Sequence, residues 1–182
     1  MCPLLRNSVA ASAAVLALAG VATAQTTVVL PDTSQTTMVS VTISEQAKVS
    51  VPTGVAFSVS DIGTTTAAAG ATLTVSQIVL GSATGQLRVL LRANAPAFTP
   101  PVNGAATWSA GDISWNAAVW SSGIGSGGTL SQASFGTVAT CDAGVPSCAT
   151  SSLVFSLAPK PAVQRSGSHT LTVTWKFESI GF

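Results

Sequence analysis

The sequence predicts an all-β fold, an antiparallel β-sandwich of about eight short strands, and three observations carry that prediction. Apolar and polar residues alternate with a period of two along almost all of the chain after residue 24, while no stretch sustains the 3.6-residue period of a helix. Clusters of Gly, Pro, Asn, Asp and Ser punctuate the alternation at short intervals. The polar positions are mostly Ser and Thr, the composition of strands with one buried and one solvated face.

Taken in order, TTVVL near residue 26 opens the alternation. Val39, Val41 and Ile43 then alternate with Ser40 and Thr42, and Val55, Phe57 and Val59 repeat the pattern. Leu73 and Val75 share one parity, whereas Ile78 and Leu80 take the other, so a bulge or bend is expected at Gln77. Leu87, Val89 and Leu91 oppose Arg88, Leu90 and Arg92. Ile113, Trp115, Ala117 and Val119 form a further set, and Leu153, Phe155 and Leu157 another. The last strand is expected from His169 to Glu178, central or near-central, with Leu171, Val173, Trp175 and Phe177 in the core. Trp175 then packs inside its own sandwich or helps to cover a strand lent by a neighbour. Turns are expected at residues 52–54, 61–63, 81–85, 94–104, 121–128, 141–148 and 159–167. The run TTTAAAGA, residues 64–71, reads as a loop or a single turn.

The first 24 residues combine Arg6, an apolar run from Val9 to Val21, and Ala22 and Ala24 at A-x-A spacing. This is the pattern of a secretory signal peptide cleaved after Ala24, and its apolar run is too short for a good membrane span. Cys2 is expected to leave with it. Residues 25–182 are then a single sandwich domain, large enough to bury a core. No later segment reads as a transmembrane helix, so the expected location is secreted: periplasmic, cell-surface or extracellular.

After residue 24 the six basic residues Lys48, Arg88, Arg92, Lys160, Arg165 and Lys176 balance the six acidic residues Asp32, Glu45, Asp61, Asp112, Asp142 and Glu178. A chain without a basic surplus has no electrostatic reason to bind nucleic acid or an anionic membrane surface. Only 7% of the residues are charged, far fewer than a monomeric surface usually carries. A smooth Ser- and Thr-rich exterior suited to self-association follows.

Cys141 and Cys148 bracket DAGVPS. In an exported chain this spacing predicts a local disulfide. A metal site would need more ligands than His169 and these two cysteines supply. No catalytic constellation is visible: the acids nearest in sequence, Asp32 and Glu45, lie thirteen positions apart, there is no G-x-S-x-G elbow, and His169 is the chain's one histidine. His169 is expected to be a strand-end or loop residue. The segment SSGIGSGGTLSQ, residues 121–132, reads as a flexible loop, because neither a lysine nor a helix pattern follows as a phosphate cradle requires. No enzyme activity and no cofactor are expected.

Trp108, Trp115 and Trp120 fall within thirteen residues, and Trp115 and Trp120 have opposite strand parity. In an unbroken strand one of them faces solvent, where an indole can stack on a sugar ring. A bulge between them would instead return both to one face. The carbohydrate-binding reading therefore rests on Trp108, Trp115 and Trp120 as stacking residues.

The stretches TTMVSVTISEQAKVSV, LTVSQIVLGSATGQLRVLLRANAP, GDISW and GSHTLTVTWKFES together resemble the secreted immunoglobulin-like β-sandwich modules of bacterial surfaces, in the style of fimbrial subunits, spore-coat-U-type domains and WxL-type domains. The resemblance implies an immunoglobulin-like strand arrangement and a role in surface structure, adhesion or filament assembly. The leading expectation is a non-enzymatic, pilin-like structural or adhesive protein that assembles by strand addition, with itself or other surface proteins as partners. The alternative is a carbohydrate-binding module with a glycan partner. An outer-membrane barrel fits less well: strands of five to seven residues and the absence of tyrosine do not match its long strands and aromatic girdles.

Overall fold

The structure, a computed structural model, describes residues 27–31 and 34–181. The expected signal peptide, residues 1–24, and the terminal Phe182 lie outside the described residues. The chain divides into two units, Met1–Val41 and Thr42–Phe182. In the first unit no described residue belongs to a strand or helix. Residues 27–30 of TTVVL and residues 39–43, both expected in strands, belong to none. An isolated strand leaves its backbone groups unpaired, and alternation alone does not supply a neighbour.

The second unit is nearly all β. Its strands are β1 (Gln46–Ser50), β2 (Thr66–Ala67), β3 (Ala71–Val79), β4 (Gln86–Ala93), β5 (Ile113–Trp115), β6 (Val119–Trp120), β7 (Gly123–Gly125), β8 (Gly128–Thr129), β9 (Gly136–Cys141), β10 (Ser147–Leu153), β11 (Phe155–Leu157) and β12 (Val173–Ile180), with one 3-10 turn at Ala110–Asp112. The count exceeds eight because several strands are two- or three-residue pieces. Every pairing is antiparallel, in three ladders: β1-β3-β10, β2-β11-β5-β8 and β12-β4-β9-β7-β6. Only Val154 separates β10 from β11, and Leu153, Phe155 and Leu157 keep one parity across it, all buried. The first two ladders thus share one face toward the core.

That core joins Leu73 and Val75 of β3, Val89 and Leu91 of β4, Val138 of β9 and Leu153 of β10, all at most 1% exposed. Each such side chain stabilises the fold by about 1.5–3 kcal/mol relative to an exposed position. The alternation in β3 and β4 therefore reports the inner faces of the two layers, as expected. Gln77, where the parity changes, has φ of +51°, and the β1–β3 register slips between Gln46 and Lys48 opposite it. The expected bulge is there.

Three expectations need correction. Residues 121–132 are not a flexible loop throughout, since β7 and β8 lie within them. Residues 55–59 form no strand, although Phe57 and Val59 pack against the core. The closing strand begins at Val173 rather than His169, and it is an edge strand: β4 pairs one side of it, and no strand among the described residues pairs the other. Leu171, Val173, Trp175 and Phe177 are accordingly only half-buried against the core.

Candidate functional site: an apolar groove beside an unpaired edge

The three clustered tryptophans do not form a platform. Trp108, Trp115 and Trp120 are only 5%, 4% and 6% exposed. Trp108 Nε1 donates to the Ala158 carbonyl at 3.0 Å and Trp115 Nε1 to the Ser126 carbonyl at 2.8 Å, whereas the buried Trp120 Nε1 has no hydrogen-bond partner among the described residues. The parity conflict between Trp115 and Trp120 is resolved by a break in the strand. Asn116 accepts from Val154 N at 2.7 Å and donates to the Ser152 carbonyl at 3.0 Å, so its side chain takes over backbone pairing where the chain leaves β5. Ala118 and Trp120 then point inward and Val119 outward. Trp108, Trp115 and Trp120 are core residues, and stacking on a sugar is not available to them in this conformation.

Cys141 and Cys148 form the expected disulfide, both fully buried. Cys141 closes β9 and Cys148 lies in β10, so the bond ties strands of different ladders together.

His169 lies in the loop before β12. Its Nε2 faces the Arg165 carbonyl at 3.3 Å, and its Nδ1 shares a hydrogen bond with the Thr107 hydroxyl at 2.8 Å. Its ring meets that of Trp108 edge to face, 5.2 Å between centroids. These contacts hold the 165–169 loop against Trp108.

Asp112 is a brace. Its Oδ2 accepts from Ser109 N at 2.7 Å, from Ser109 Oγ at 2.8 Å and from Lys160 Nζ at 2.6 Å. Partial burial pushes this carboxyl up, but the Lys160 ammonium and the two Ser109 donors together outweigh that and hold it below its ordinary 3.8. Glu178, on β12, is likewise held below its ordinary 4.5, chiefly by the hydrogen bond from the Lys176 ammonium, against a smaller effect of burial and with help from the Lys176 and Arg88 charges. Both groups prefer ionisation in the folded state. Their stabilisation is complete above the ordinary values and is lost as pH falls through the lowered ones. The thermal midpoint should therefore be flat from about pH 7 to pH 5 and fall below about pH 4. Asp112→Asn should lower the midpoint at neutral pH and flatten the acid limb, and an acid limb as steep as the parent's would contradict the brace.

The remaining feature is a groove of about 1020 Å³. One wall is a segment with Val51, Val55 and Phe57 that belongs to no strand, and the other is Leu171, Val173 and Trp175. Leu91, Trp108, Ile113 and Phe155 lie at its floor. Its walls carry no carboxylate, and the one guanidinium is that of Arg165. The groove lies between residues 55–59, which have strand patterning, and β12, with no strand described between them. The sequence marks the apolar faces of both but not the gap.

A second apolar surface is the segment of residues 36–44. Met38, Val39, Val41 and Ile43 are 93%, 86%, 84% and 69% exposed. Val39, Val41 and Ile43 share one parity and so line one face when extended.

Among the described residues no group of three or more His, Cys, Asp or Glu is placed to hold a metal ion, and no helix is long and apolar enough to cross a membrane. No protein family matches the chain, and neither a curated protein nor a solved structure does.

Proposed function

We propose that the protein is a non-enzymatic structural or adhesive component of a bacterial surface, an immunoglobulin-like module that assembles by strand addition. The observation that carries this reading is the apolar groove flanked by the unpaired edge of β12. An inserted strand gains backbone hydrogen bonds along β12 and sets alternate side chains on the groove floor, which is how an extended segment recognises a sheet edge. Residues 36–44 have the alternation such a strand needs. The low charge and the buried disulfide support an exported, self-associating protein.

Size-exclusion chromatography and electron microscopy of residues 25–182 test the proposal. Oligomers should grow with concentration, and deleting residues 25–44 should leave a monomer. A strictly monomeric species at every concentration, unaltered by that deletion, would defeat the assembly reading.

A further inference from the structure

Of the asparagines Asn7, Asn94, Asn103 and Asn116, Asn103 alone is followed by glycine. We infer that Asn103 is a site of spontaneous modification, deamidating in the folded protein to aspartate and isoaspartate while the core stays intact. The reaction needs a side-chain amide free to rotate, a main-chain nitrogen free to attack it, and little bulk between the two.

All three are present at the tip of an arm formed by residues 97–109. The base of the arm is fixed: Ala97 pairs with Ser109, Phe98 N donates to the Trp108 carbonyl at 2.9 Å, and Ala110 N donates to the Pro96 carbonyl at 2.8 Å. The tip is a turn from Val102 to Ala105, closed by one hydrogen bond from Ala105 N to the Val102 carbonyl at 3.1 Å. Gly104 has φ of +78°, the left-handed conformation that favours glycine in the third place of such a turn. Asn103 and Gly104 are both exposed, and a Cβ built on Gly104 would meet nothing within 4 Å. Neither the Asn103 amide nor the Gly104 N–H has a hydrogen-bond partner among the described residues.

The two other described asparagines are tied down. Asn94 Oδ1 accepts from Thr174 Oγ1 at 2.7 Å, and the Asn116 side chain bonds both Val154 N and the Ser152 carbonyl. Alanine follows each of them, and its methyl group crowds the nitrogen that would attack.

At Asn103 the Gly104 nitrogen gives up its proton and bonds to Cγ, the Cγ–Nδ2 bond breaks, and ammonia leaves with that proton. The resulting cyclic imide is opened by water. Opening at Cγ yields aspartate, and opening at the main-chain carbonyl yields isoaspartate, with the backbone routed through the former side chain. Either product adds a carboxylate to a chain whose acids and bases balance after residue 24. The arm's base lies outside the altered turn and holds Phe98 and Trp108 in place.

Residues 25–182 kept in mildly alkaline buffer test the inference, with isoelectric focusing to read charge and fragment-ion mass spectrometry to read position. A peptide of residues 99–107 sets the rate without a fold. A more acidic form should accumulate within about tenfold of the peptide's rate, the factor that one hydrogen bond of about 1.4 kcal/mol represents. The altered mass should fall on Asn103, and an isoaspartyl methyltransferase should label the product. Asn103→Gln, whose amide lies one carbon further from the next nitrogen, should abolish the acidic form. Asn103→Asp should focus with that form and melt with the parent. An acidic form that persists in Asn103→Gln, or a mass change on Asn94 or Asn116, would overturn the choice of site. Conversion slower than the tenfold margin, or none, while the peptide converts would show that the folded turn blocks the attack. An Asn103→Asp midpoint well below the parent's would overturn the separation of the turn from the core.

Discussion

Replacing Trp115 with alanine is expected to destabilise the fold by about 3–5 kcal/mol, the usual loss for truncating a buried tryptophan. For a domain of this size that lowers the melting midpoint by on the order of 10 °C. The structure gives the reason. The indole lies against Gly128 and Gly136 so closely that a Cβ at either position would come within 2.5 Å and 2.8 Å of its ring. Its Nε1 also holds the Ser126 carbonyl between β7 and β8. Removing the ring empties the space around which residues 126–136 fold. A stacking residue would behave in the opposite way, with affinity lost and stability kept. Thermal denaturation followed by circular dichroism separates the two, and a Trp115→Ala midpoint within a degree or two of the parent would refute the core assignment.

The second large effect is expected from the disulfide. Replacing Cys141 and Cys148 together with serine should cost about 2–3 kcal/mol on the chain-entropy account for so short a loop, or roughly 5–10 °C in the midpoint. Both sulfurs are buried, so mild reductant should reach the bond slowly in the folded protein and quickly once it unfolds. Chemical denaturation with and without prior reduction under denaturing conditions checks this. Equal midpoints for the oxidised protein and the double serine variant would show that the bond does not stabilise the fold.

How much of this was legible in the sequence depended on the range of the forces involved. Leu73 and Val75, and Leu87, Val89 and Leu91, announce their inner faces because strand parity is local, and Gln77 announces its bulge for the same reason. The placement of Trp115 and Trp120 was not legible, because it turns on Asn116 bonding to Ser152 and Val154 more than thirty residues away. Gly128 reads as part of a flexible loop until the ring that needs its space is seen, and Gly136 carries no local signal of the same need. Most consequentially, alternation in β12 and in residues 55–59 tells which way side chains point but not which strands lie alongside. The groove is a missing neighbour, and a one-dimensional pattern does not record one.

The near absence of charge in the groove has a consequence for how its occupancy responds to conditions. Ionic strength acts on charged partners, and here only Arg165 lines the walls. If a strand is added there as proposed, its apolar contacts and backbone hydrogen bonds are not weakened by salt over the range that dissolves electrostatic complexes. Temperature is the stronger lever, because the apolar driving force weakens on cooling. A filament held in this way would keep its joints from fresh water to brine and loosen first in the cold.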